Sequence, residues 1–248
     1  MTTRLTKTFD DAKASKTPVL VAYLCVGDPS VEDSVKVALA CVAAGADILE
    51  LGVPFSDPTA DGPAIARASQ RAIAAGGGLE ATLKAAAEIR AQCSVPIVLF
   101  GYYNPILVRG EDVTIDDAAK AGVDALLIVD LPLDEGTTLR ARAASYSIPI
   151  VPLVTPATTP ARLEQIRAQG QQKSGFVYYV SVTGVTGVAN ADLDRAGAAA
   201  ARTRDVVRMP VVIGFGIDNA TKAKAAATGA DGIVIGTAIV VRVENAET

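Results

Sequence analysis

Three carboxylic acids lie close together in residues 50–61 and could carry acid–base chemistry. A short apolar run, residues 48–53, is typical of one buried strand. Glu50 interrupts this run, and a carboxyl group in a buried strand must find a partner or shift its pKa. The loop that follows is rich in Pro, Gly, Ser and Asp, and it carries Asp57 and Asp61. One carboxyl group on a strand and two on the next loop form an arrangement suited to general acid–base catalysis.

The residue pattern alone leaves a structural alternative open. A single glutamate in a strand is more often an ion-paired or edge residue than a catalyst. Carboxyl groups with a perturbed pKa are more frequent at functional sites, but they also occur in purely structural positions. Tyr178 stands among apolar neighbours, where its hydroxyl needs a partner, and it can equally be a core aromatic residue. The lysines fall outside the predicted strands, so a Schiff-base mechanism is not expected.

Length and composition favour one large domain. The chain has 248 residues, half of them hydrophobic, a size common for a single α/β barrel. The net charge of -4 and the lack of a long basic run argue against binding to nucleic acid or to an anionic membrane. No apolar stretch is long enough for a membrane span, and residues 1–17 contain no signal-peptide core. We therefore expect a cytoplasmic protein.

Histidine is absent from the sequence, which narrows the possible chemistry. Its absence excludes Ser-His and Cys-His nucleophilic systems and every His-ligated metal site. Cys25, Cys41 and Cys93 are far apart and odd in number, so they fit buried hydrophobic residues in a reducing cytoplasm better than a disulfide or metal framework. Acid–base work must therefore fall to Asp, Glu, Tyr, Lys or Cys.

The hydrophobic pattern predicts eight strands, each followed by helical sequence. The predicted strands are residues 19–24, 48–52, 97–100, 125–129, 148–153, 176–180, 211–213 and 232–235. The predicted helices are residues 5–15, 31–44, 64–75, 79–92, 115–121, 135–145, 160–169, 192–203, 219–228 and a short one in 238–248. Most strands are continuous apolar runs, as expected when both faces of a sheet are covered. We expect a single (β/α)₈ barrel over residues 1–248, with an extra N-terminal helix and a shortened C-terminal helix; a doubly wound sheet is the alternative.

Glycine-rich loops follow the last three predicted strands. They read Ser-Val-Thr-Gly-Val-Thr-Gly at 181–187, Gly-Phe-Gly-Ile-Asp at 214–218 and Gly-Thr-Ala at 236–238. Glycine lets the backbone approach a ligand closely, and N–H groups at a helix start bind anions. A single glycine is better explained by a tight turn. Three such loops on consecutive late strands indicate a phosphate site, because barrels commonly bind phosphate there.

The motifs together resemble the tryptophan synthase alpha subunit family, and the similarity runs through nearly the whole chain. The main motif is Glu-Leu-Gly-Val-Pro-Phe-Ser-Asp-Pro-Thr-Ala-Asp-Gly-Pro at 50–63. Others are Gly-Asp-Pro at 27–29, Tyr-Tyr-Asn-Pro at 102–105, Asp-Leu-Pro at 130–132, Val-Ser-Val-Thr-Gly-Val-Thr-Gly at 180–187 and Gly-Phe-Gly-Ile at 214–217. Their combination is highly specific.

The resemblance implies a lyase that splits indole-3-glycerol phosphate into indole and glyceraldehyde 3-phosphate by a retro-aldol reaction, without a metal or an organic cofactor. It implies that Glu50 protonates the indole ring at C3 and then, as a carboxylate, takes the proton from the glycerol hydroxyl next to the breaking bond. Asp61 would hold the indole N–H and stabilise the positive charge that develops there. Tyr178 aligns with the active-site tyrosine of the family.

The same resemblance implies where the substrate binds. The residues implied to hold the phosphate through backbone N–H groups are Gly187, Gly216, Gly236 and Thr237, with Phe215 in the same group of loops. The residues implied to line the indole pocket are Tyr23, Ile65, Phe100 and Leu127. Thr186 would close towards Asp61 as part of a lid that excludes water.

The resemblance also implies a protein partner, the beta subunit, which carries pyridoxal phosphate and would consume the indole in an α2β2 tetramer. Pro54, Asp57, Asn104 and Pro105 match the surface that meets it. A stand-alone relative that releases indole without a partner has the same motifs, so the sequence does not separate the two. A third hypothesis is a non-catalytic activator of a beta subunit. The presence of Glu50, Asp61 and Tyr178 together argues against it.

Four departures from the family pattern are visible. Thr237 stands where serine is usual, Thr59 where leucine is usual, and Cys25 where threonine is frequent. We expect these three to tune affinity rather than abolish it. The terminal helix is short relative to the family, and we expect a cost in stability because apolar barrel surface would lose its cover.

Overall fold

The computed structural model describes residues 2–169, 175–180, 193–214 and 216–246, which form a ring of eight parallel strands surrounded by helices. The strands are β1 (Val19–Cys25), β2 (Ile48–Gly52), β3 (Ile97–Gly101), β4 (Ala125–Ile128), β5 (Leu153–Val154), β6 (Val177–Val180), β7 (Val211–Gly214) and β8 (Gly232–Ile235). The hydrogen-bonded order is β4-β3-β2-β1-β8-β7-β6-β5. A parallel bridge between Leu126 and Ile150 joins the two ends of this order. The predicted (β/α)₈ barrel is confirmed.

Eleven helices lie within the described ranges and cover the strands. They are α1 (Arg4–Ser15), α2 (Val31–Ala43), α3 (Pro63–Ala74), α4 (Leu79–Gln92), α5 (Tyr103–Arg109), α6 (Glu111–Lys120), α7 (Thr137–Ala144), α8 (Pro160–Gln169), α9 (Leu193–Val207), α10 (Ala220–Ala227) and α11 (Thr237–Glu244). The extra N-terminal helix is present as predicted. Across these ranges, no helix is both long and apolar enough to cross a membrane.

Helix α1 closes the amino-terminal end of the barrel. Leu5 and Phe9 are buried and belong to the same apolar cluster as the barrel interior. The rings of Phe9 and Phe176, the residue before β6, lie 5.6 Å apart between centroids. Arg4 adds an ion pair of 2.9 Å with Asp124, just before β4. With this end filled by side chains, the carboxyl ends of the strands form the open end, where barrel active sites lie.

The predicted fifth strand, residues 148–153, is wrong in its bounds, because β5 comprises only Leu153–Val154. Pro149 and Pro152 lack the N–H donor that a sheet ladder requires. The segment still bonds to both neighbours through its carbonyl groups. The Leu126 N–H donates to the Pro149 oxygen at 2.9 Å, and the Tyr178 N–H donates to the Pro152 oxygen at 3.0 Å.

Helix α5 is absent from the sequence-based prediction. Tyr102 occupies the N-cap position without a side-chain cap bond. The missing acceptor comes from another loop, where an Asp130 carboxylate oxygen accepts from the Tyr103 N–H at 2.7 Å. Pro105 is tolerated because it lies in the first turn, where helix N–H groups have no intrahelical acceptor. Of the other predicted helices, α6 begins four residues earlier than predicted and α9 ends four residues later.

The C-terminal helix α11 is held by charge as well as by packing. Val240 is buried against the barrel, and Glu244 accepts from Arg67 and Arg71 of α3 at 2.8 Å each. Arg71 also pairs with the buried Asp28, after β1, at 2.7 Å. The hydrogen bond from Arg67 is the main reason that the pKa of Glu244 falls to about 2. These bonds tie α11 to the helix that follows the acidic loop.

Candidate active site

Glu50 points into the barrel interior from β2. The pairing register puts Tyr23, Glu50, Val98 and Ala125 in one row across four adjacent strands. Tyr23, Val98 and Ala125 belong to the interior cluster, and side chains in one register row share a face, so Glu50 faces inward with them. Glu50 itself is fully buried, at 0% exposure.

The Glu50 carboxyl group has no compensating contact among the residues that the structure describes. Neither of its side-chain oxygens has a hydrogen-bond partner there. Loss of hydration raises the pKa of Glu50 to about 8, because the charged form is disfavoured in an apolar environment. At neutral pH this side chain is therefore predominantly a protonated acid that can give up a proton.

Asp61 lies on the loop after β2 and is only partly buried. Burial raises the pKa of Asp61 to about 6, while a hydrogen bond with Tyr102 acts in the opposite direction. The two carboxyl groups therefore have different protonation preferences. Near neutral pH Asp61 is largely an anion and Glu50 is largely a neutral acid. Glu50 can therefore donate a proton while Asp61 stabilises a positive charge.

Tyr102, after β3, fixes the acidic loop, and the sequence analysis missed this role. Its hydroxyl accepts a hydrogen bond from the Ala60 N–H at 3.0 Å. Its ring lies 5.1 Å from the ring of Phe55, on the same loop. The sequence does show a tyrosine directly after β3, the strand next to β2. It does not show where the acidic loop runs, so it could not indicate that this tyrosine binds Ala60.

Tyr178 reaches the same interior from β6. It is buried, and desolvation followed by the charges of Glu50 and Asp61 raises its pKa well above the ordinary value. A Cβ atom placed at Gly214 of β7 would overlap the Tyr178 hydroxyl oxygen. The observed position of the Tyr178 ring therefore requires glycine at 214, in addition to any role of Gly214 in the loop that follows.

The four residues predicted for the indole pocket are brought together. Tyr23, Ile65 and Leu127 belong to the interior cluster, and Phe100 packs against it. The rings of Tyr23 and Phe100 meet edge to face, with centroids 5.2 Å apart and planes at 76°. These side chains give the inside of the barrel an apolar wall next to the acidic groups, as an aromatic substrate ring requires.

Two of the three predicted phosphate loops can be placed. Gly216 follows β7 and has a φ of 73°, a conformation that favours glycine. Gly236 is the N-cap of α11, and Thr237 is its first residue. The adjacent strands β7 and β8 bring both loops to one side of the opening. Thr186, Gly187 and Phe215 lie outside the described residues.

Comparisons with known proteins decide the family. A family model described as tryptophan synthase alpha chain matches residues 9–248. Relatives called tryptophan synthase alpha chain, from Citrifermentans bemidjiense and Geobacter sp. strain M21, are each 44% identical over 237 residues, covering 96% of this chain and 88% of theirs. The chain belongs to the tryptophan synthase alpha chain family.

Solved structures agree with this assignment. Tryptophan synthase from Mycobacterium tuberculosis superposes with a TM-score of 0.89 at 35% identity, covering 98% of this chain and 92% of that one. The alpha subunit from Legionella pneumophila str. Paris gives 0.88 at 31% identity, covering 98% and 89%. The reaction of the tryptophan synthase alpha family is the retro-aldol cleavage of indole-3-glycerol phosphate in tryptophan biosynthesis, so the chain is a carbon–carbon lyase.

The residues predicted to meet the family's beta subunit lie on two neighbouring segments. Pro54 is buried and Asp57 is exposed on the acidic loop, where the Ser56 hydroxyl donates to Asp57 at 2.5 Å. Asn104 is exposed and Pro105 is half-buried, both in the first turn of α5. The contact between Phe55 and Tyr102 holds these two segments together.

Gly214→Ala should displace the Tyr178 ring and reduce substrate cleavage by at least tenfold, because the added methyl group overlaps the tyrosine hydroxyl. Steady-state kinetics of the purified variant measure this. Gly78→Ala is the matched control, since a Cβ there meets nothing within 4 Å. Equal activity of the two variants would show that the Tyr178 position is not critical.

Glu50→Gln should stabilise the fold increasingly as pH rises. The unfolded chain ionises this carboxyl near 4.5, whereas the folded protein keeps it protonated up to about 8. Wild-type stability therefore falls as pH rises through this window, and the amide variant escapes the loss. The advantage in the free energy of unfolding should grow by roughly 3 kcal/mol between pH 5 and pH 8.

Urea unfolding at several pH values tests this expectation. Glu88→Gln, at an exposed position of α4, is the control, since an exposed carboxyl group keeps its hydration on folding. An advantage of Glu50→Gln that does not change with pH would contradict the buried, protonated state.

Proposed function

We propose that Glu50 and Asp61 divide the proton transfer and the charge stabilisation in the family's cleavage of indole-3-glycerol phosphate. One observation carries the proposal: a fully buried carboxyl group with a pKa of about 8 lies within electrostatic range of the same two tyrosines as a partly buried one with a pKa of about 6. The apolar wall next to them fits an indole ring.

The reaction begins with proton donation from Glu50 to indole C3. The ring nitrogen then carries positive charge, and the Asp61 carboxylate holds its N–H and stabilises that charge. Glu50, now an anion without a donor among its described neighbours, is a strong base in an apolar site. It takes the proton of the hydroxyl on the carbon attached to C3. The bond between that carbon and C3 breaks, its electron pair returns to the ring, and indole and an aldehyde result.

The phosphate group is assigned to the loops after β7 and β8. Backbone N–H groups in the first turn of α11 have no intrahelical acceptor, and the helix dipole favours an anion there. Gly236 and Thr237 supply these groups, and Gly216 supplies the neighbouring loop. Bound there, the phosphate anchors the glycerol chain above the acidic pair.

Glu50→Gln and Asp61→Asn should each lower indole release by at least a hundredfold, because each removes a group that acts in the transition state. Absorbance-monitored indole release by the purified chain measures the rate. Asp57→Asn makes the same chemical change on the same loop at an exposed position and should leave the rate of the isolated chain near wild type. Wild-type turnover by both Glu50→Gln and Asp61→Asn would refute the assigned roles.

For the partner, we infer that the beta subunit of the family docks on the acidic loop and on α5, in an α2β2 tetramer. Two apolar side chains of α5 support this site, since Leu107 is 55% exposed and Val108 is 80% exposed. Val113 of α6 extends the patch at 50% exposure. Exposed apolar side chains grouped next to Asn104 and Pro105 are the type of surface that another protein covers.

Val108→Asp should weaken binding of a beta subunit by roughly tenfold or more, because an unpaired charge would be buried in the contact. Size-exclusion chromatography and titration of the indole-release rate with a purified beta subunit measure the complex. Tyr146→Asp, which introduces the same charge at an exposed aromatic position after α7, is the control. A chain that neither shifts in size nor gains rate with a beta subunit would instead be a stand-alone lyase.

A further inference from the structure

The Tyr23 side chain has a fixed position in the barrel interior. It leaves β1 in the same register row as Glu50, and its ring packs edge to face on Phe100. The ring rises towards the open end of the barrel and passes next to Gly52. A Cβ atom at Gly52 would lie only 2.5 Å from the Tyr23 hydroxyl oxygen and 2.8 Å from two ring carbons. Gly52, two residues after Glu50 on the same strand, therefore leaves room for this hydroxyl.

Tyr23 is only 5% exposed, and within the described part of the chain its environment consists of burial and nearby charges, without a hydrogen bond to its hydroxyl. Burial, Cys25, Asp61 and Glu50 all raise its pKa, in that order, so the group keeps its proton over the working pH range. A ligand that covers this hydroxyl removes its access to water, so free energy is lost unless the ligand also forms a hydrogen bond with it.

The surroundings of this hydroxyl are those of the ring pocket. Ile65, Phe100 and Leu127 are apolar and offer it no partner. Asp61, the group assigned to the indole N–H, is close enough to influence it electrostatically. Among the described residues, the hydroxyl is therefore a polar group next to the apolar side chains of the ring pocket and close to Asp61.

We propose that the Tyr23 hydroxyl is a specificity-determining group that hydrogen-bonds to a polar substituent on the benzene ring of the substrate, so that the enzyme accepts hydroxy-substituted indole-3-glycerol phosphates. This inference rests on the proposed function of the site. An unsubstituted ring leaves the hydroxyl without a partner on the ligand or on the described residues. The oxygen of a ring hydroxyl at the matching carbon accepts a hydrogen bond from the Tyr23 hydroxyl.

The expected size of the effect follows from one neutral hydrogen bond. Such a bond changes affinity by roughly three- to tenfold, and a partner left buried and unpaired increases the difference. A methyl group at the same carbon has nearly the size of a hydroxyl but cannot accept a hydrogen bond. The ratio of kcat/KM for the hydroxy substrate to that for its methyl analogue therefore isolates the bond from steric effects.

The test compares wild type with Tyr23→Phe on hydroxy- and methyl-substituted indole-3-glycerol phosphates, with each free carbon of the benzene ring substituted in turn. At one ring carbon the hydroxy-to-methyl ratio should fall by roughly three- to tenfold in Tyr23→Phe. Tyr102→Phe removes a different hydroxyl near Asp61 and should leave this ratio unchanged. A ratio that is the same in wild type and Tyr23→Phe at every position would overturn the inference.

A binding arm separates this inference from the proposed function. Hydroxyindoles and methylindoles are titrated into wild type and Tyr23→Phe, followed by ligand-observed NMR, and the same ratio is formed from the dissociation constants. If the wild type cleaves no indole-3-glycerol phosphate, the proposed function fails, while the binding ratio still decides the role of Tyr23. A binding ratio that does not depend on Tyr23 would reject that role.

Discussion

The burial of one carboxyl group without a hydrogen-bond partner among the described residues is the constraint on which this site depends. Within the described ranges, Glu50 gains no hydrogen bond that would offset its lost hydration, so the fold keeps it protonated. The same burial that costs stability above its unfolded pKa provides an acid at neutral pH. Once it has given up the proton, the anion is a strong base for the same reason. Catalytic use and structural cost therefore have one physical origin.

Two glycines provide the space for the tyrosines that surround Glu50. Gly52 and Gly214 each lie against a tyrosine ring, and a Cβ atom at either position would collide with the hydroxyl end of that ring. The two tyrosines can therefore lie next to the acidic pair, inside the barrel. The opposite end is closed by Leu5 and Phe9 of α1. One end of the barrel is thus closed by apolar side chains, and the other carries the acidic pair next to apolar and aromatic side chains.

The local sequence pattern predicted much of this arrangement, and it failed where proline chemistry or contacts between distant segments decide the structure. Glu50 was visible because a charged residue in an apolar run contradicts its surroundings, and that contradiction is independent of tertiary structure. The fifth strand was misplaced because Pro149 and Pro152 are apolar but donate no hydrogen bond. Helix α5 was missed because its capping oxygen comes from Asp130, on a different loop. The anchoring of the acidic loop by Tyr102 depends on a contact between separate βα units, which no spacing along the chain encodes.

The central claim is that Glu50 is a neutral acid at the pH at which the enzyme works. The most direct measurement is the infrared difference spectrum between wild type and Glu50→Gln, followed over pH in the carbonyl region of protonated carboxylic acids. We expect a band of a protonated, weakly hydrogen-bonded carboxyl group at pH 7 that disappears with a midpoint of about 8. A Glu50 that is already ionised at pH 6 would contradict it.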